Sequence, residues 1–215
     1  MEVREKLRGS EGVSRPFGLG INVFRELFGS YPSFSLHALK VSAILPETKH
    51  GVPYAQLERF QNFRHPATHF VVHAWDTPPL ELLCGMEEVE RHYPNSIFWL
   101  ELVEIDWHRD ADQGCVWWCN LLAALFFLIR CTLIVLHPIE NPSILKRCWC
   151  LYELSLLLRL GLPPPIIFPV HKSIRRREIR CSSAIAFNPE HQTILRRYLC
   201  DKLSSPQLLD LLRSR

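Results

Sequence analysis

The sequence predicts an α/β fold, a parallel sheet with helices packed on both faces. Two observations carry that reading. Four short apolar runs rich in β-formers, at 69–73, 96–102, 131–136 and 165–170, alternate with stretches of helical spacing. The third run, 131–136, is nearly unbroken in apolar residues, the pattern of a strand covered on both sides. Alternating strands and helices of this length pair in parallel.

Taken in order, residues 1–50 read as an N-terminal extension, partly disordered, because Gly, Ser, Pro and charges dominate as far as Gly20. A short helix at 21–28 is its main apolar element, closed by Tyr31 and Pro32. Residues 53–60 form a short helix leading into an α/β domain spanning 51–203. After the first strand, Pro79 suits the first position of a helix over 80–89. Tyr93, Pro94 and Asn95 make a turn into the second strand. A polar loop at 104–114 separates it from an apolar helix over 116–129. The third strand leads through a Pro-punctuated loop into a helix carrying Glu153. Pro165 and Pro169 lie at the ends of the fourth strand, where a missing N–H costs least. A helix at 189–203 and a short amphipathic tail at 204–215 complete the chain. The segment 184–187 is the one weak candidate for a fifth strand.

The 215 residues carry a formal net charge of +3, too mild a balance to argue for a nucleic-acid partner. Basic residues cluster at 171–177, a pattern that suits a solvated face, or otherwise a phosphate or acidic partner. The chain opens MEVREKLRGSEG, without the apolar run of a secretory signal, so its eight cysteines are expected reduced and the protein cytoplasmic. Cys115 and Cys119 near His108, and Cys148 with Cys150, have poor spacing for zinc, and no metal or cofactor is expected. Arg130 interrupts one apolar stretch; Glu153 and Arg159 fall within another. Neither reaches the about 20 residues of a membrane span.

The most informative stretch is 132–160, where Glu153 stands among Trp, Cys, Tyr and Leu. Ligands of parallel α/β sheets bind beyond the carboxyl ends of the strands, here 73–77, 103–109 and 137–142. Glu153 lies about two turns into the helix after the third strand, in reach of that crevice. It reads either as a functional carboxylate or as a core charge paired with Arg130 or Arg147.

Five motifs occur in a familiar order: THFVVHAW at 68–75, SIFWLELVEIDWH at 96–108, the pair Trp117 and Trp118, TLIVLHP at 132–138, and RCWCLYEL at 147–154. Together they resemble the TIR-like (Toll/interleukin-receptor-like) proteins of algae and other protists, whose motifs run FVSHAW, FWLD-x-x-x-x-NQ, a Trp pair, LVL-x-PW and RAWCL-x-E. The last also resembles the WCL-x-EL helix of plant TIR domains. The resemblance covers residues 50–200. Val72 stands where the family has Ser, and Ile105, Asp106 and Trp107 replace its Asn-Gln.

The resemblance implies a flavodoxin-like parallel sheet of four or five strands. In many TIR domains it also implies hydrolysis of NAD at the nicotinamide–ribose bond, with the helix glutamate, Glu153 here, as the catalytic group. Such cleavage needs a carboxylate near an oxocarbenium-like ribose and no metal. Trp75, Trp107 and Trp149 are candidates to stack on a base, and His73 and Arg109 to contact the pyrophosphate. Asp106 is a loop carboxylate within the same crevice. NAD or a related nucleotide is then substrate rather than cofactor. Other TIR domains are non-catalytic, and the alternative is such a module, which self-associates as a homo-oligomer and recruits partners through exposed loops and helices, especially 104–114.

Overall fold

The computed structural model describes residues 16–48, 51–169, 181–203 and 205–212. The basic cluster at 171–177 lies outside them. Six strands form one mixed sheet: β1 (Phe17–Gly20), β2 (Arg64–Pro66), β3 (His69–Val72), β4 (Ile97–Trp99), β5 (Cys131–Val135) and β6 (Ile166–Phe168). Their spatial order is β2-β1-β4-β3-β5-β6. The strands from β4 to β6 run parallel, and β1 runs antiparallel to both β4 and β2. The all-parallel sheet of four or five strands expected from sequence is thus a six-stranded mixed one.

The two extra strands explain the difference. FGLG and RHP contain two glycines and a proline, so neither carries a strand pattern of its own. Position in the sheet makes them strands. A Cβ on Gly18 would lie 2.5 Å from the Phe98 carbonyl oxygen, so only glycine lets β1 approach β4. Within the expected extension, Phe17–Gly20 is therefore a strand of the sheet.

Helices α1 (Ile21–Ser30), α2 (Leu36–Leu39), α3 (Leu45–Glu47), α4 (Pro79–His92), α5 (Glu101–Glu104), α6 (Cys115–Ile129), α7 (Cys148–Leu160), α8 (Pro189–Lys202) and α9 (Ser205–Leu211) surround it. A π-helical turn, Lys40–Ile44, joins α2 to α3. Strand alternation separates two cores. Phe70, Val72 and Ile134 face α6, α7, α8 and α9. Val71, Leu133 and Val135 face α1 and α4. On the first face Phe70 stacks on Trp99 at 4.9 Å and against Phe126 at 4.3 Å.

Local differences from the expected elements matter for the site. The apolar run at 96–102 ends as a strand at Trp99, and Leu100 starts the short helix α5. Residues 53–60 are two 3-10 turns, Tyr54–Gln56 and Glu58–Phe63. The weak candidate at 184–187 makes one parallel bridge, Ile185 to Arg147, through Ile185 N–H to Lys146 C=O at 2.8 Å and Cys148 N–H to Ile185 C=O at 2.9 Å. No helix among the described residues is long and apolar enough to cross a membrane.

Candidate functional site

In the parallel part of the sheet, β3 lies between β4 and β5, so its two neighbours are reached in opposite directions. A crevice opens at the carboxyl ends of the strands at such a point. There a cavity of about 350 Å³ is lined by residues that follow each central strand: His73 and Trp75 after β3, Glu101 and Trp107 after β4, and Arg147, Trp149, Cys150 and Glu153 after β5. His37 and Lys40 enter from the N-terminal segment, fixed by the His37 N–H donating to the Trp75 carbonyl at 3.1 Å.

The wall is a chain of indoles. Trp75 and Trp107 meet edge-to-face at 5.2 Å, Trp107 and Trp118 stack at 6.3 Å, and Trp118 and Trp149 meet at 6.4 Å. The Trp107 indole N–H donates to the Leu102 carbonyl at 2.9 Å, which fixes its ring. Phe187 stacks on His37 at 5.6 Å, and the Arg147 guanidinium lies 4.4 Å from the Phe187 ring centre.

Two acids share this cavity. Glu153 is 8 % exposed, and no ion pair among the described residues engages it. Arg130 is exposed at the end of α6, and Arg147 sits over Phe187, so neither expected partner closes on it. Burial, then the charge of Glu101, raises the Glu153 carboxyl well above its ordinary range. Burial pushes Glu101 up to about 7, with Lys40 opposing. Lys40 itself is held below the usual lysine range by burial, with Glu101 opposing. Each shift has the sign desolvation gives.

His73 is buried, and its Nδ1 lies 3.4 Å from the Val71 carbonyl. A carbonyl only accepts, so the ring proton belongs on Nδ1 and leaves Nε2 as a lone pair without a partner. Burial draws its pKa down to about 4, so the ring is neutral and presents an acceptor rather than a cation for pyrophosphate. The Cys150 thiol donates to the His73 carbonyl at 3.2 Å.

Of the residues singled out from sequence, His73, Trp75, Trp107, Trp149 and Glu153 meet at this cavity, while Asp106 and Arg109 do not line it. Asp106 is buried and accepts from the His108 and Arg109 backbone N–H groups at 3.1 and 3.3 Å, which shapes the loop. Arg109 points its guanidinium at Asp110, donating at 2.7 and 3.0 Å. The cations at the cavity are Lys40 and Arg147 instead. Sequence reasoning also missed Glu101. The one signal available was an acid inside the apolar run 96–102, which reads as strand. Comparison with protein-family models, with curated proteins and with solved structures finds no match.

Proposed function

We propose that this chain is a nucleotide-binding α/β protein of the TIR-like kind. Its particular activity, on this reading, is hydrolysis of NAD at the nicotinamide–ribose bond. The observation that carries the reading is Glu153: a nearly buried carboxylate that opens into an indole-lined cavity at the strand ends and makes no ion pair with an arginine among the described residues. The cavity joins acids and aromatic faces to cationic side chains, and NAD joins a cationic flat ring to an anionic pyrophosphate. The sheet supports the same reading, because the four parallel strands stand in the order second, first, third, fourth of a flavodoxin-like arrangement.

In the proposed reaction the bond between ribose and the pyridinium nitrogen breaks, and its electron pair leaves with nicotinamide, which departs neutral. Positive charge passes to the ribosyl carbon, where ionised Glu153 stabilises it. Water adds to that carbon and loses a proton, giving ADP-ribose. The cationic ring of the incoming substrate favours ionised Glu153 and offsets the burial that otherwise keeps it protonated. The indoles of Trp75, Trp107 and Trp149 hold the flat rings, and Arg147 serves the pyrophosphate.

The test is nicotinamide release from NAD by the purified chain over a range of protein concentrations, beside Glu153→Gln and Glu153→Ala. Release by the wild type that is lost in both variants, with circular dichroism unchanged, is the expected result. No release at any concentration from folded protein ends the hydrolase reading, and unchanged release in Glu153→Ala removes that residue from the chemistry.

A further inference from the structure

Lys40 has an unusual place. Its ammonium nitrogen lies 4.4 Å from the ring centre of Trp107 and 4.8 Å from that of Trp75. The two indoles meet edge-to-face, and Glu101 acts on the same ammonium as its opposing charge. Two indoles around one cation, with the Glu101 carboxylate lining the same cavity, form an aromatic cage, the arrangement that takes organic cations. All four groups line the cavity that holds Glu153. Lys40 also opens the π-helical turn, an uncommon irregularity that tends to occur at functional sites.

We propose that Trp75, Trp107 and Glu101 form a binding cage for a flat organic cation, and that Lys40 is a tethered occupant that such a ligand must displace. A lysine held on its own chain competes at high effective concentration, so it weakens an incoming cation without blocking it. Glu101 favours the charged guest, and the indole faces favour a delocalised ring over a compact, strongly hydrated ammonium. The identification of the guest as the pyridinium of a dinucleotide rests on the proposed function; the existence of the cage does not.

The experiment uses the whole chain and two small probes, 1-methylnicotinamide, which is cationic and has no ribose to lose, and neutral nicotinamide. Binding is followed by calorimetry and by quenching of tryptophan fluorescence for the wild type, Lys40→Met, Lys40→Gln and Lys40→Arg. Either neutral variant is expected to bind 1-methylnicotinamide about tenfold more tightly than the wild type, with nicotinamide little changed. Lys40→Arg keeps a tethered cation and shows no such gain. Trp107→Ala added to Lys40→Met abolishes the gain. Equal or weaker binding of the cation by both folded neutral variants overturns the proposal, as does an equal gain for neutral nicotinamide. Failure of NAD hydrolysis with the gain intact would retire the enzyme reading and leave the cage. Hydrolysis that depends on Glu153, without the gain, would do the reverse.

Discussion

Glu153 and Glu104 are both acids removed from water, and their surroundings differ in one decisive way. The Glu104 side chain is 4 % exposed and faces Arg64, whose Nη2 stands 3.9 Å away. The pairing is loose: Arg64 Nε and Glu104 Oε1 have no hydrogen-bond partner. Glu153 makes no ion pair among the described residues and faces a cavity. Burial raises the pKa of both, to about 8 for Glu104 and well above the ordinary carboxylate range for Glu153. A shifted pKa therefore does not separate a functional acid from a structural one here. What separates them is the company: a cation across a sealed contact for Glu104, and open space, indoles and a second acid for Glu153.

That contrast has its largest consequence in activity. Glu153→Gln removes the only charge that the proposed mechanism places against the ribosyl cation, and nicotinamide release should fall at least about a hundredfold. Glu104→Gln, on α5 and outside the cavity lining, should leave release within about twofold of the wild type. Equal losses in the two variants, with both folded by circular dichroism, would mean that burial rather than position makes these acids matter.

The second consequence lies in stability, and it belongs to Glu104. Its folded pKa of about 8 stands above its ordinary 4.5, so the folded state binds the extra proton. The contribution to stability is full below the ordinary value and is lost as pH rises through about 8. Between about pH 5 and pH 9 it costs on the order of 4 kcal/mol. Glu104→Gln removes that slope: the variant should match the wild type near pH 5 and melt at a higher temperature near pH 9. Urea unfolding at both pH values checks this, and a variant less stable than the wild type at pH 9 would show that the Arg64 contact contributes more than desolvation costs.

The sequence makes the contrast half visible. Glu153 stands out because its helix is otherwise apolar, and the parallel strands because their apolar runs are continuous. Glu101 was hidden by that same continuity, since FWLEL reads as one strand until Leu100 turns the chain into α5. Lys40 and His37 lie before the first strong strand signal and reach the cavity only because β1 inserts beside β4. Nothing local in FGLG announces that pairing; the requirement for Gly18 arises from the Phe98 carbonyl, which is distant in sequence. Asp106 and Arg109 looked available because a polar loop gives no sign of its own turn geometry. The loop spends them on its own backbone and on Asp110.

The smallest effect tests the coupling between the two cavity acids. Glu101 is the second cause, after burial, that raises the Glu153 carboxyl. Removing the Glu101 charge therefore lets Glu153 ionise at lower pH. If ionised Glu153 carries the reaction, kcat rises with pH as that proton leaves. In Glu101→Gln this acid limb should then move down by about one pH unit. Saturating NAD keeps the measurement on kcat, apart from any loss of cation binding at the cage. His73 faces the same cavity, but burial draws its pKa down to about 4, so it does not produce that limb. An unmoved limb would place the titrating group elsewhere and leave Glu101 with the cage alone. A limb that moves up would require the two carboxyls to share a proton that Glu101 donates, and the roles of the pair would then have to be exchanged.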